Sequence, residues 1–84
     1  MQKDMELVES VAADLFRTGF FDVMHVYPND RNYFVMFKNS RNGAFTFITT
    51  LRKTRRIYTL ESAYSLACLV YARSFEVFTP DYLL

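Results

Sequence analysis

The sequence has few residues suited to covalent or metal chemistry: its 84 positions include one cysteine, one histidine and only two glycines. The single cysteine, Cys68, excludes an internal disulfide framework and is typical of a reducing compartment. One cysteine and one histidine cannot build a structural zinc site, and two glycines are too few for a glycine-rich phosphate loop. We therefore predict no metal and no cofactor, with His25 as a packed or half-exposed strand residue and Cys68 as a buried one.

A catalytic constellation is also missing, which predicts a protein that is not an enzyme. No Ser-His-Asp or Cys-His arrangement can be argued from a single histidine. A small basic ribonuclease that relies on arginine, lysine and tyrosine stays an open alternative, although no residue set in the sequence singles it out.

Long apolar runs and a large net charge are absent as well. No run approaches the ~18 residues of a membrane span, and residues 1–6 lack the basic-then-apolar order of a signal peptide. The formal net charge is +1, while 51% of the residues are hydrophobic and 18% aromatic, which excludes intrinsic disorder. We predict one soluble, cytoplasmic domain that spans residues 1–84.

Two segments have the apolar spacing of amphipathic helices. The first is predicted over 4–18, with Asp4 as its N-cap and Gly19 directly after its C-terminus. The second is predicted to follow Thr59, a good N-cap, and to continue to about Ser74. Its apolar line contains Leu60, Ala63, Ala67 and Val70.

Between the helices, runs of aromatic and β-branched residues alternate with turn residues, which predicts strands. The strands are expected at 22–27, 33–38 and 44–51, with a short edge strand at 56–58. Consecutive strands joined by short turns should pair as an antiparallel meander. The predicted fold class is α+β: a three- to four-stranded antiparallel β-meander flanked by an N-terminal and a C-terminal helix, with residues 75–84 packed onto the domain.

Alternation along the strands assigns their side chains to two faces. On the third predicted strand, the set that includes Phe45 and Phe47 is expected to face the core. On the second, Phe34 and Met36 point away from Tyr33, Val35 and Phe37. Because two helices cover only one face well, the other face should be an exposed aromatic surface, suited to a homodimer or a partner.

Charge is strongly segregated along the chain. Residues 31–56 contain seven basic residues and no acidic one, whereas the rest of the chain contains three basic and nine acidic residues. The densest basic run is 52–56. The candidate contact residues for a protein or a nucleic acid are Lys38, Arg41, Arg52, Lys53, Arg55 and Arg56, with the neighbouring aromatic residues Tyr33 and Tyr58.

The basic segment supports two binding interpretations. It can lie along a phosphate backbone while the aromatic residues stack on bases, or it can engage an acidic protein surface. Nucleic-acid modules usually have a pI above about 9, and the pI of this chain is 7.9, which favours a protein. A solvated basic hairpin, balanced by acidic helices, is the simplest alternative.

Residues 56–63, with the sequence RIYTLESA, combine an arginine, an aromatic residue two positions later, Thr-Leu-Glu and an alanine-rich helix. Over residues 45–78 this pattern resembles small accessory proteins encoded on plasmids, integrative elements and phages, although the usual glycine-rich turn before the arginine is absent. The resemblance implies a mobile-element protein that acts by binding, as anti-CRISPR and anti-restriction proteins do. It implies no particular site residue.

These observations lead to three expectations of function. The first is a non-catalytic protein-binding domain, an inhibitor of a host defence or nucleoprotein complex that acts through the basic hairpin. The second is a regulator that binds RNA or DNA through the same residues. The third is a homodimeric structural or adaptor protein. None of them involves a membrane.

Overall fold

A computed structural model describes residues 4–73 and 75–77, which form an α+β fold with a five-stranded mixed sheet and two helices. The strand order in the sheet is β1-β4-β3-β2-β5. The strands are β1 (Asp4–Val8), β2 (Val23–Asn29), β3 (Asn32–Lys38), β4 (Phe45–Thr49) and β5 (Phe75–Val77), and the helices are α1 (Glu9–Arg17) and α2 (Leu60–Leu69).

The centre of the sheet is the predicted antiparallel meander. Strand β3 pairs with β2 on one side and with β4 on the other, both antiparallel. The β2–β3 turn is shorter than predicted, because pairing continues to Asn29 and Asn32 and leaves only two residues, Asp30 and Arg31, in the turn. Asp30 has a positive φ of 57°, a conformation that aspartate tolerates and that tight hairpins require.

The edges of the sheet are parallel strands, which the sequence analysis missed. Strand β1 pairs with β4 and β5 pairs with β2, both parallel. The chain between β1 and β2 contains α1, and the chain between β4 and β5 contains α2. Each connection therefore passes over two strands of the meander, as parallel pairing demands a long crossover.

The prediction of a helix from residue 4 was wrong. The helix begins at Glu9 after Val8, which makes no side-chain capping bond, and residues 4–8 extend along β4. Apolar residues at 5 and 7 fit a strand as well as a helix, and pairing decides between them. The Thr46 hydroxyl donates to the Met5 carbonyl (2.9 Å) and accepts from the Leu7 amide (3.2 Å).

The second helix begins as predicted but ends earlier. Thr59 caps it in a reciprocal capping box with Ser62, while the helix ends at Leu69 rather than near 74. Tyr71 then adopts a φ of 57°, which stops helical propagation. Residues 75–77 form β5, and the rest of the tail, 78–84, lies outside the described residues.

The predicted edge strand at 56–58 is reduced to single bridges. Tyr58 pairs with Tyr33, and Arg55 pairs with Thr49. Because the segment touches two different strands at isolated points, it does not continue the meander.

The core lies between the helices and one face of the sheet. Fully buried residues of the three central strands meet residues of both helices there. Examples are Met24, Val26, Val35, Phe37 and Ile48 from the sheet, Ala12 and Phe16 from α1, and Ala63 and Leu66 from α2.

Three burial predictions were wrong. On β4 the core-facing residues are Thr46 and Ile48, both fully buried, so Phe45 and Phe47 lie on the opposite face. On α2 the predicted apolar line is only partly buried, because Leu60 is exposed, and Cys68 is exposed as well. No helix within residues 4–73 and 75–77 is long and apolar enough to cross a membrane.

Candidate binding face of the sheet

The face of the sheet opposite the helices, called here the open face, is rich in aromatic residues. Its central side chains are His25 and Tyr27 from β2, Phe34 and Met36 from β3, and Phe45 and Phe47 from β4. The pairing registers place Glu6, Phe47, Met36, His25 and Glu76 side by side across all five strands. The two glutamates at the edges are exposed, whereas the rings between them are half-buried.

Arg55 lies over the aromatic side chains of this face. Its guanidinium carbon is 3.8 Å from the centre of the Phe47 ring and 5.3 Å from that of Phe34. The Tyr27 ring is 5.8 Å from Phe47. Both arginine distances lie within the range of cation–π attraction, so the open face combines an ordered positive group with apolar rings.

The loop after β4 holds Arg55 in this position. The Thr50 amide donates to the Thr54 carbonyl (2.8 Å), and the Lys53 amide donates to the Thr50 carbonyl (2.9 Å). The Thr50 and Thr54 hydroxyls are also 2.8 Å apart. These contacts close the loop so that Arg55 returns beside Thr49, where the two residues form a bridge.

Arg56 points to a different part of the molecule. Its Nε atom is 3.8 Å from Glu9 Oε2, and the same oxygen accepts a 2.6 Å hydrogen bond from the Tyr58 hydroxyl. Tyr58 is 3% exposed. Burial, and then the hydrogen bond to Glu9, raise the pKa of Tyr58 far above its usual range. This buried tyrosine cannot stack on a base.

We expect Tyr58→Phe to lower the free energy of unfolding by about 1–3 kcal/mol, because the Glu9 carboxylate loses a buried donor. In the wild type, the raised pKa means that stability contributed by Tyr58 is present below about pH 10 and is lost at higher pH. Urea unfolding at pH 7 and pH 11 measures both effects. Tyr64→Phe, at a position that is 63% exposed, is the control and should leave the free energy of unfolding unchanged. Equal losses of stability in the two variants would contradict the role given to the Tyr58–Glu9 hydrogen bond.

The predicted contact residues do not form a continuous basic edge. Lys38 and Arg41 lie at the end of β3, where Arg41 Nη2 donates to the Gly19 carbonyl (2.9 Å). Residues 52–56 follow the other end of β4, roughly 15 Å away at about 3.4 Å per residue. Tyr33 packs against the core. Arg55 is therefore the predicted contact residue that the structure places over the aromatic side chains of the open face.

Lys53 lies near the same rings. With Arg55, Glu6 and Phe47 it lines a shallow cleft of about 120 Å³ beside β1. Arg52 is exposed in the same loop. The basic loop and the aromatic face are thus adjacent, although the aromatic residues involved are not those predicted.

His25 lies on the open face with Tyr27 and is half-buried, as predicted for a strand histidine. Its Nδ1 atom is 3.3 Å from the Tyr27 hydroxyl, and the two rings meet edge to face. Burial lowers the pKa of His25 from its usual value, although the nearby Glu76 carboxylate acts in the opposite direction.

Sequence reasoning missed the aromatic members of this site because it assigned Phe45 and Phe47 to the core. The aromatic alternation on β4 did separate the two faces correctly. Alternation could not decide which of the two faces is the core. Hydrophobicity favours the face of Phe47, a large hydrophobe, over the face of the polar Thr46, and the structure has the opposite arrangement. No protein-family model matches the chain, and comparison with curated proteins and with solved structures finds no match.

Proposed function

We propose that this protein is a non-catalytic domain that binds a protein partner through the open face of its sheet. The observation that carries the proposal is Arg55 over Phe34 and Phe47, on a face that neither helix covers. Aromatic residues and arginine are the types enriched at the centres of protein interfaces. Both helices pack into the core on the other side of the sheet.

The charges around the face support a protein partner. Glu6 and Glu76 are at the two edges of the row that crosses Phe47 and His25. Lys38 and Arg55 are the basic counterparts on the same face. A rim with both signs of charge around an apolar centre is typical of a protein interface.

The resemblance of residues 56–63 to accessory proteins of mobile elements suggests the biological setting. We propose a host defence complex as the class of partner, with inhibition as the consequence of binding. Blocking requires only that the open face covers a functional surface of the partner, so no chemistry of the chain's own is needed.

A nucleic acid is the second candidate partner. It is favoured by Arg52 and Lys53, which are exposed in the loop next to the rings. If several phosphates were neutralised, the logarithm of the affinity would fall linearly and steeply with the logarithm of the salt concentration. An interface with an aromatic centre would lose association rate but keep most of its affinity.

The proposal is tested by comparing Phe34→Ala with Leu69→Ala, an exposed apolar position on α2. Each immobilised variant is presented to a nuclease-treated host lysate, and bound proteins are quantified by mass spectrometry. We expect a protein that binds the wild type and Leu69→Ala alike and Phe34→Ala at least about tenfold more weakly, the loss typical of one interface anchor.

Two results would overturn the proposal. One is a partner that Phe34→Ala and the wild type retain equally, which places binding elsewhere. The other is a light-scattering mass twice that of one chain, abolished by Phe34→Ala, because the open face would then be occupied by a second copy. Circular dichroism of each variant confirms that the fold is retained.

A further inference from the structure

We propose that Arg55 is the anchor of the open face and that its ligand is a single carboxylate group, flanked by apolar residues, on the partner protein. The inference rests on the proposed function and adds the chemistry of the partner to it. It assigns to Arg55 alone the contact role that the sequence analysis gave to the basic run 52–56.

The N–H donors of Arg55 have no carboxylate partner among the described residues. The ion pairs among the described residues are Arg17 with Asp14 and Arg56 with Glu9, and neither involves Arg55. The rings of Phe34 and Phe47 contact the guanidinium but do not use its N–H groups as a carboxylate would. A guanidinium has five N–H donors in its own plane, so Arg55, which takes part in neither of these ion pairs, can take a carboxylate in bidentate fashion.

Arg55 is also preorganised for binding. Ordering a long side chain on binding normally costs conformational entropy. The contacts at 3.8 and 5.3 Å and the closed 50–54 loop order Arg55 before the partner arrives. An arginine held this way binds a planar anion better than a lysine at the same position, since lysine lacks both the stacking plane and the fork.

The surroundings of Arg55 favour a carboxylate over a phosphate backbone. Arg55 already occupies one face of the Phe47 ring, which a stacking base would need. A nucleic-acid strand that crosses the sheet along the Phe47 row brings several phosphates near Glu6 or Glu76, whereas a single carboxylate at Arg55 brings only one negative charge near Glu6. One acidic side chain among apolar ones needs only to reach Arg55, with its neighbours against Tyr27 and Phe34.

The test is a display selection of random 12-residue peptides on the wild-type protein, followed by affinity measurements on the enriched peptides. We expect the enriched peptides to share an aspartate or glutamate next to apolar residues. Replacing that acid by its amide should weaken binding at least about tenfold, as loss of a charge-assisted pair does. In ¹⁵N-labelled protein, the Arg55 Nε–Hε signal should shift with the acidic peptide and not with its amide counterpart.

Matched variants assign the effect to Arg55. Arg55→Ala should lose at least about tenfold in affinity, and Arg55→Lys should recover only part of it. Arg52→Ala, which removes the same charge from the same loop, should change affinity less than about threefold. Unchanged amide spectra elsewhere in each variant confirm that the fold is intact.

The possible failures are distinguishable. Peptides that bind the open face equally well without an acid, or equally well to Arg55→Ala, would overturn the inference and leave the proposed function standing. A wild type that enriches no peptide on the open face would overturn both. Tighter binding to a 12-nucleotide single strand than to every selected peptide would also overturn the inference, in favour of a nucleic acid.

Discussion

Replacing Ile48 by alanine is expected to lower the free energy of unfolding by about 2–5 kcal/mol, the range for deleting a buried branched side chain. Ile48 is fully buried between the sheet and the helices. Its neighbour Phe47 is half-buried on the open face, so Phe47→Ala should cost less, about 1–2 kcal/mol, despite the larger side chain. Urea unfolding monitored by circular dichroism gives both values.

The comparison tests which face of β4 is the core. If Phe47→Ala were the more destabilising of the two, the face assignment would be reversed, and the aromatic surface would be an interior. The same pair also separates stability from binding. Phe47→Ala should weaken partner binding per folded molecule, while Ile48→Ala should leave it unchanged.

Asn39→Ala is expected to lower the free energy of unfolding by about 2–4 kcal/mol, from three hydrogen bonds at about 1 kcal/mol each. Asn39 is 3% exposed. Its Nδ2 donates to the Phe20 carbonyl (2.7 Å), and its Oδ1 accepts from the amides of Arg41 (2.9 Å) and Asn42 (3.1 Å). Removing the side chain leaves these three backbone groups without their hydrogen-bond partner.

Asn42→Ala is the matched control in the same turn. Asn42 is exposed and its Oδ1 accepts one bond, from the Ala44 amide (2.8 Å), so the expected loss is below about 1 kcal/mol. Equal losses in the two variants would show that Asn39 stabilises only its own turn. The expected larger loss for Asn39→Ala would show that its side chain also joins the β3–β4 turn to the segment after α1.

The elements with local determinants were predicted well. Thr59 begins α2 because its side chain and that of Ser62 satisfy each other's backbone amides within four residues. Gly19, with a φ of 93°, follows α1 because only glycine adopts that conformation without strain. The aromatic run of β3 and the Asn-Gly turn after it are also local signals, and the central meander follows from them.

The elements that failed depend on distant partners. Residues 4–8 have no strong preference between helix and strand, and their conformation is decided by pairing with β4, some forty residues later. Residues 75–77 form β5 for the same reason, against β2. Both edges of the sheet are therefore invisible to local pattern analysis.

The candidate site was predicted in part. Charge counting placed a basic loop at residues 52–56, and alternation predicted an exposed aromatic face. The structure divides that loop between two sides of the molecule, because successive residues point in opposite directions where the segment meets the sheet at Thr49. Arg55 therefore lies over the rings while Arg56 turns to Glu9.

By itself, the sequence determined the α+β class, the central hairpins, the cap of α2 and the segregation of charge, because each depends on residues close together along the chain. Only the tertiary structure decided the parallel edge strands, the core-facing side of β4 and the contact of Arg55 with Phe47. Alternation states that two faces differ without stating which one is covered. The helices decide which face is covered, because their small residues Ala12 and Ala63 pack on the side of Thr46 and Ile48. The aromatic side is therefore left uncovered by the helices.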